Sequence, residues 1–165
     1  MPTEGSEVTF THLVRWLESQ SVPYRLIEHA PEGRTEIVSQ MRGNSLAAAA
    51  KCLVLLVKVG KKITRYVLAV VPGDRKVDLQ AVKMLLGGTY VAFASPDVAE
   101  KLAGSVPGTI LPFSFAPELQ LIADPSLLAQ DELYFNAARL DCSLVLKTND
   151  YLALAKPRLE RIVEQ

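Results

Sequence analysis

The segment CLVLLVKVGKKITRYVLAVV, residues 52–71, decides the fold. Two apolar runs, 52–59 and 65–71, flank the polar turn Gly60-Lys61-Lys62, and this pattern predicts a β-hairpin. The first run is apolar at nearly every position, as in strands that are covered on both faces. We therefore expect helices packed over a β-sheet.

The segments around this hairpin predict further helices and strands. Apolar residues at helical spacing predict an amphipathic helix over 9–21, with Thr9 as its N-cap. Two glycines and three prolines in 104–117 predict a shaped loop, with one short strand over 111–115. The strands are too numerous for a simple βαβ alternation. We expect an α+β fold with one mixed, strongly curved, barrel-like β-sheet covered by helices.

The composition narrows the class of protein. The chain has 165 residues, which predicts a single domain over 1–165 with a core at about 9–155. Lys plus Arg and Asp plus Glu both number 18, so the overall charge offers no non-specific attraction to nucleic acid. We expect no DNA partner. No segment has the pattern of a membrane span or a leader, and we expect a cytoplasmic protein with no membrane partner.

Lys51 is the first candidate site residue. It stands between four alanines, 47–50, and the apolar run that begins at Cys52. An ammonium at the end of a buried strand must meet an anion or reach solvent, because burying an unpaired charge is very costly. A lysine that covers apolar surface with its stem and extends into solvent is the alternative interpretation.

The second candidate is the loop Gly108-Thr109-Ile110-Leu111-Pro112, hereafter the Gly108 loop. Its glycine and proline can form a stiff turn whose backbone N–H groups bind a ligand, or an ordinary connection between strands. Asn136, after an aromatic pair, suits a substrate amide, hydroxyl or amine, or satisfies a turn. Arg42 is predicted to end a helix, where its positive charge complements the helix dipole. If it lies near Lys51 in space, it would also bind a phosphate.

Two further residues have competing interpretations. His29 lies in a loop. It is either an ordinary surface residue or a general base, since the pKa of an unperturbed imidazole lies near neutrality. Asp124 precedes Pro125 and fits a helix cap better than a catalytic acid. The two cysteines, Cys52 and Cys142, lack metal-binding spacing and are expected to be core thiols. We expect no metal and no cofactor, and the chain carries none of the common hydrolase, zinc-protease or nucleotide-loop motifs.

Several short motifs together resemble a known family. They are Ala50-Lys51-Cys52-Leu53-Val54, Ala94-Ser95-Pro96, Gly104, the Gly108 loop, Pro112-Phe113-Ser114-Phe115, Ala123-Asp124-Pro125 and Phe135-Asn136-Ala137. Their order and spacing, over 9–154, resemble the YbaK/prolyl-tRNA synthetase-associated domain family of aminoacyl-tRNA editing domains. The similarity is greatest to its free-standing YeaK-like branch.

The resemblance implies an activity and a set of site residues. Lys51 matches the family lysine that contacts the 3′ end of tRNA, and the Gly108 loop matches the family loop whose backbone positions the aminoacyl ester. The expected catalytic residues are Lys51, Gly108 and Asn136. The expected substrate-binding residues are Arg42, Thr109, Ile110, Leu111, Pro112, Phe113, Asp124 and His29.

Ala138 departs from the resemblance, since similar sequences usually have glycine after Phe-Asn-Ala. Two effects of its methyl group stay open, namely a narrower pocket or a shifted chain.

The resemblance implies a free-standing deacylase that hydrolyses the ester of mischarged tRNA. It points to Ser- or Thr-charged tRNA and leaves Ala and Cys open. The implied partner is the acceptor end of aminoacyl-tRNA, and a synthetase as a further partner stays open. Two rivals are a non-catalytic module that binds tRNA ends or a synthetase, and a small-molecule binding protein.

Overall fold

The computed structural model of the protein describes residues 4–165. Helices and strands follow one another along the chain as α1 Glu4–Ser19, β1 Arg25–Glu28, α2 Thr35–Arg42, β2 Ala50–Val59, β3 Ile63–Pro72, α3 Leu79–Leu85, β4 Tyr90–Phe93, α4 Pro96–Ala103, β5 Leu119–Ala123, β6 Glu132–Arg139, β7 Cys142–Lys147, α5 Thr148–Ala155 and β8 Arg158–Leu159. Two short 3-10 turns lie at Leu46–Ala48 and Pro125–Ala129. The described helices include none with the length and apolar character to cross a membrane.

The predicted hairpin is confirmed and forms the centre of the larger sheet. Strands β2 and β3 pair antiparallel from Ala50 opposite Pro72 to Val59 opposite Ile63. The five-stranded sheet has the order β4-β2-β3-β5-β8, with parallel pairing of β5 on β3 and of β8 on β5. This sheet is therefore mixed, as expected.

The prediction of one strongly curved, barrel-like sheet was wrong. Strands β1, β7 and β6 form a separate three-stranded antiparallel sheet, and the order of neither sheet closes on itself among the described residues. Among the described residues, one parallel backbone bridge, between Ala49 and Tyr134, links the two sheets. One bridge cannot continue a hydrogen-bonded ladder, so the strands divide into two sheets and the α+β class stands.

Apolar residues cover both faces of the hairpin, which explains its nearly unbroken apolar sequence. Val54 and Leu68 belong to the core cluster that includes α1 and the three-stranded sheet. Leu55 and Val67 belong to a second cluster, which includes Val82 of α3. Burial on both faces is the arrangement that the sequence predicts.

Two local predictions differ from the structure. Helix α1 begins before Thr9, so Thr9 is not its N-cap, and the threonine hydroxyl donates instead to the Gly104 carbonyl at 2.7 Å. Residues 111–115 form no strand. The hydroxyl of Tyr151 donates to the Pro112 carbonyl at 2.8 Å, and the Phe113 ring packs 5.3 Å from that of Trp16. Side chains from α1 and α5 therefore hold this segment as a loop.

Candidate functional site

A cavity of about 250 Å³ brings several of the predicted residues together. Its wall comes from the start of α2, the start of β2, the Gly108 loop and β6. We call it the Lys51 pocket, and it is lined by Gly33, Arg34, Thr35, Val38, Arg42, Ala49, Ala50, Lys51, Cys52, Leu53, Gly108, Ile110, Phe135 and Asn136. Lys51, Gly108, Asn136, Arg42 and Ile110 were all expected at the site from the sequence.

Lys51 is the second residue of β2 and is half-buried in the wall of the pocket. Its Nζ donates to the carbonyl of Arg75 at 2.6 Å. Burial lowers the pKa of Lys51, with nearby Lys76 acting in the same direction and Glu36 and Asp74 opposing. The ammonium makes no ion pair with any carboxylate of residues 5–165. An ammonium has three N–H groups, so it can still donate to a ligand.

Arg42 contributes a second positive charge. It ends α2, as its place at a helix C-terminus predicts, and the next residue, Gly43, closes the helix as a left-handed cap with a φ of 75°. Its guanidinium donates to neutral oxygens of Asn44, Ser143 and Ser39, at 2.9, 3.1 and 3.3 Å. Burial lowers the pKa of Arg42 to about 10. Within the described chain Arg42, like Lys51, has no carboxylate partner, so the pocket suits an anionic or strongly polar ligand.

Asn136 joins two backbone segments of the pocket. Its Nδ2 donates to the carbonyls of Glu32 and Gly108, both at 2.9 Å. Its Oδ1 accepts from the Ser143 hydroxyl at 3.0 Å. The protein itself therefore uses both N–H groups of the amide and its oxygen.

Gly108 and Gly33 lie in close contact across this junction. Gly108 has a φ of +92°, a region that favours glycine, and a Cβ placed on it would lie 3.1 Å from the Cα of Gly33. The backbone of one segment thus packs directly on that of the other. A side chain at Gly108 would force the two segments apart.

The rest of the Gly108 loop faces in several directions. Ile110 lines the pocket, whereas Leu111 and Phe113 are buried in the core. The Thr109 hydroxyl donates to the Val106 carbonyl at 2.7 Å, within the loop's own turn. Pro112 is held through its carbonyl by Tyr151. The structure therefore places Thr109, Leu111, Pro112 and Phe113 behind the wall of the pocket rather than in its lining.

His29 and Asp124 also lie outside the lining. The His29 Nε2 lies 2.7 Å from the Ser143 hydroxyl, one step behind Asn136. Asp124 is buried and caps the turn Pro125–Ala129, accepting from the Ser126 N–H at 2.9 Å and from the Ile162 N–H at 2.8 Å. Burial alone would raise the pKa of Asp124, but these hydrogen bonds and those from the Ser126 hydroxyl and the Val163 N–H lower it.

Sequence reasoning missed several residues of the site. Gly33, Arg34 and Thr35 bring the start of α2 to the pocket, and the available signal was the Pro31-Glu32-Gly33 punctuation just before them. Ser143 was also missed, although it is the one hydroxyl residue in the otherwise apolar stretch 142–146. Cys52 lines the pocket with a thiol whose pKa is raised by burial, so it stays neutral.

The lining chemistry suits positioning and charge stabilisation. The residues that line the Lys51 pocket include no Asp, Glu or His that would act as a general base. Within residues 5–165, no three His, Cys, Asp or Glu side chains are grouped so as to hold a metal ion. Three basic residues line the pocket, and Arg34 is paired with Glu32, which leaves Lys51 and Arg42 as the cations without a carboxylate partner among the described residues. The N-terminal end of α2 and the backbone of Gly108 lie beside them. Such an arrangement stabilises an oxyanion that develops on a bound ester or phosphate.

Known proteins are similar to this chain in sequence and in fold. The model of the aminoacyl-tRNA editing domain family matches residues 29–154. The multifunctional Ser/Thr-tRNA deacylase ProXp-y of Escherichia coli K12 is 42% identical over 160 residues, which is 95% of each chain. The prolyl-tRNA editing protein ProX of Acetoanaerobium sticklandii is 24% identical over 144 residues, 85% of this chain and 86% of that protein.

A crystal structure of a candidate trans-editing enzyme for prolyl-tRNA synthetase has the same fold. It superposes with a TM-score of 0.79 at 21% identity and covers 100% of both chains. The resemblance drawn from the motifs around Lys51 and the Gly108 loop is confirmed by the family model and by the 42% identical relative. This protein belongs to the aminoacyl-tRNA editing domain family.

Proposed function

We propose that this protein is a free-standing deacylase that hydrolyses the ester of Ser- or Thr-charged tRNA in trans. The observation that carries the proposal is the Lys51 pocket, where two cations without carboxylate partners lie beside the backbone of Gly108. Membership of the editing family supports the reaction. The 42% identical relative, named as a Ser/Thr-tRNA deacylase, supports the substrate.

The size of the pocket supports small amino acids. Its volume of about 250 Å³ lies below the ~300–1,000 Å³ of pockets that enclose drug-sized ligands. Ile110, Phe135 and Val38 supply apolar walls, whereas Thr35, Arg42 and Lys51 supply polar atoms. A hydroxylated side chain such as that of serine or threonine is compatible with both. Alanine and cysteine are the competitors, and a single methylene separates such ligands by only ~1–3 kcal/mol.

The proposed reaction needs no strong base from the protein, because an aminoacyl ester is already activated. Lys51 and Arg42 hold the negatively charged 3′ end of the tRNA. The ester carbonyl is polarised by the N–H groups of Gly108 and Ile110, the two loop residues that line the pocket, since the Thr109 N–H already donates to the Val106 carbonyl. Water adds to that carbonyl, the bond to the ribose oxygen breaks, and the ribose oxygen takes up the proton from the attacking water. The neighbouring ribose hydroxyl helps to orient the water. Positioning and charge stabilisation then supply the rate acceleration.

Asn136 acts in this scheme as a positioning residue. Both of its N–H groups hold backbone carbonyls, so it fixes the Gly108 loop against the segment before α2. We propose that all of residues 1–165 act as one editing domain on the acceptor end of aminoacyl-tRNA. Because that substrate is produced in the cytoplasm, the protein acts there. A synthetase is a further partner if its addition accelerates release of the amino acid.

Turnover separates this proposal from a non-catalytic tRNA-binding module. Purified protein is mixed with a large excess of tRNA charged with Ser, Thr, Ala, Cys or Pro, and free amino acid is measured over time. We expect many turnovers on Ser- or Thr-tRNA. Retention or protection of every ester, even at excess protein, would overturn the proposal and favour a binding module.

A further inference from the structure

Ser143 is a buried hydroxyl in a strand that is otherwise built for the core. It lies on β7, the central strand of the three-stranded sheet, opposite Asn136 on β6 and Ile27 on β1. Its exposed fraction is 0%, and it does not line the Lys51 pocket. Burying a hydroxyl is unfavourable unless it is hydrogen-bonded, so the contacts of this residue matter.

Three polar side chains converge on the Ser143 oxygen. Arg42 Nη1 donates to it at 3.1 Å, and it donates to Asn136 Oδ1 at 3.0 Å. His29 Nε2 lies 2.7 Å away. Arg42 and Asn136 line the pocket, whereas Ser143 and His29 lie behind them. One hydroxyl therefore connects the second cation of the pocket to the amide that holds the Gly108 loop.

The donors and acceptors in this cluster fix its orientation. Arginine only donates, so Ser143 accepts from Arg42. The Asn136 amide gives both N–H groups to the carbonyls of Glu32 and Gly108, so its oxygen needs a donor, and the Ser143 hydroxyl supplies one. Rotating the amide by 180° would place its oxygen against those two carbonyls. The contact with His29 adds nothing to this assignment, because both ring nitrogens face an oxygen: Nε2 the Ser143 hydroxyl at 2.7 Å and Nδ1 the Ala30 carbonyl at 2.9 Å.

We propose that Ser143 is a positioning residue for the deacylation. Its hydroxyl holds the Asn136 amide in the orientation that joins the Gly108 loop to residue 32, and it holds the Arg42 guanidinium at the pocket. This inference rests on the proposed function. It assigns Ser143 no contact with substrate, and Arg42 keeps its hydrogen bonds to Asn44 and Ser39 when the Ser143 hydroxyl is removed. The main effect is therefore on the rate of the chemical step rather than on tRNA affinity.

Ser143→Ala tests the inference, with Ser114→Ala as the matched control. Ser114 is a partly buried serine whose hydroxyl bonds two backbone carbonyls away from the pocket, those of Ala116 and Leu119. For Ser143→Ala we expect kcat on Ser-tRNA or Thr-tRNA to fall about tenfold to a hundredfold, with KM within about twofold, because a small displacement of catalytic groups can cost ~100-fold. Ser114→Ala should keep the wild-type kcat.

A double-mutant cycle shows whether Ser143 acts through Asn136. If it does, Ser143→Ala combined with Asn136→Ala loses much less than the product of the two single losses, since only the contact with Arg42 is left for the serine to position. Fully multiplicative losses would overturn the inference. Ser143→Cys keeps the shape of the side chain but hydrogen-bonds only weakly, and it carries the same test if the alanine variant does not fold.

The wild-type protein in the same assay separates failure of the inference from failure of the proposed function. Wild-type protein that releases neither serine nor threonine overturns both. An active wild type with an equally active, folded Ser143→Ala variant overturns the role of Ser143 alone. An active wild type, a slow Ser143→Ala variant and a non-additive cycle support the inference.

Discussion

The Nδ2 of Asn136 donates to the carbonyl of Gly108 at 2.9 Å and thereby joins β6 to a loop 28 residues earlier in the chain. Its second N–H group extends the connection to the carbonyl of Glu32. The two loops then lie so close that Gly108 and Gly33 meet backbone to backbone. The shape of the pocket therefore depends on one amide and two glycines.

Asn136→Asp should disrupt this junction at almost constant side-chain size. A carboxylate has no N–H groups to offer the two carbonyls and would face them with negative charge. We expect deacylation to fall at least about tenfold, and stability to fall by about 1–3 kcal/mol, the cost of unsatisfied buried polar groups. Chemical denaturation and single-turnover deacylation measure the two effects.

Asn149→Asp is the control, because it makes the same chemical change at an exposed site in the first turn of α5. It should leave both quantities nearly unchanged. Equal behaviour of the two variants would show that the Asn136 amide does not hold the loops.

Gly108→Ala should be more harmful than Gly60→Ala, although both glycines have positive φ. At Gly60, with a φ of +67°, an added Cβ meets nothing within 4 Å, so only backbone strain of about 1–2 kcal/mol is expected. At Gly108 the backbone is strained in the same way, and the added Cβ would also lie only 3.1 Å from the Cα of Gly33. Thermal unfolding and deacylation should both show a larger loss for Gly108→Ala. Equal losses would mean that the close contact is unimportant.

Ala138 has a φ of +62°, is fully buried, and lies at the irregularity of β6 rather than in the lining of the Lys51 pocket. Its methyl group therefore acts on the backbone and not on pocket width. Ala138→Gly relieves ~1–2 kcal/mol of backbone strain but loses ~0.8 kcal/mol of methyl burial and some chain entropy. We expect a change in unfolding free energy within about 1 kcal/mol.

Ala137→Gly is the matched control for this position. Ala137 is equally buried, but it is not among the residues with positive φ, so its replacement relieves no strain. It should cost about 1–2 kcal/mol from lost burial and added chain entropy. The amino-acid preference of Ala138→Gly should match wild type, and a changed preference would place the methyl group in the substrate's path after all.

Asp124→Asn should change stability in a pH-dependent way. Because hydrogen bonds lower the pKa of Asp124 below 3.8, its carboxylate contributes stability that is fully present above that pH and is lost as pH falls through the lower folded-state pKa. We expect the variant to be less stable by about 1–3 kcal/mol at pH 7. The difference from wild type should shrink below pH 3.8. Urea denaturation over a pH series measures it, with exposed Asp131→Asn as control, and a pH-independent difference would contradict the account.

Local signals predict the parts of the fold that local chemistry determines. The hairpin follows from its apolar pattern and polar turn, and it is confirmed by the pairing of β2 with β3. Lys51 lies beside the apolar run of β2, and that position led us to expect its ammonium at a site, where the structure has it. Each of these features depends on residues adjacent in sequence.

The features that sequence reasoning missed depend on distant contacts. Residues 111–115 have the composition of a strand, but Tyr151 takes the Pro112 carbonyl and aromatic rings fix Phe113, so no ladder forms. Ser143 contacts Arg42, which is 101 residues away in the chain, and no spacing rule predicts such a pair. The separation into two sheets has the same cause, since it depends on whether the contact between Ala49 and Tyr134, far apart in the chain, extends into a ladder or stays a single bridge.

The central claim is that a cation at Lys51 in this pocket is required to deacylate Ser- or Thr-tRNA, and one comparison tests it most directly. Release of serine and threonine from charged tRNA is measured for wild type, Lys51→Met and Lys58→Met, where Lys58 is an exposed lysine on the same strand. We predict multiple turnovers for wild type and Lys58→Met, and a loss of about a hundredfold or more for Lys51→Met. Wild-type turnover by a folded Lys51→Met variant would contradict the account.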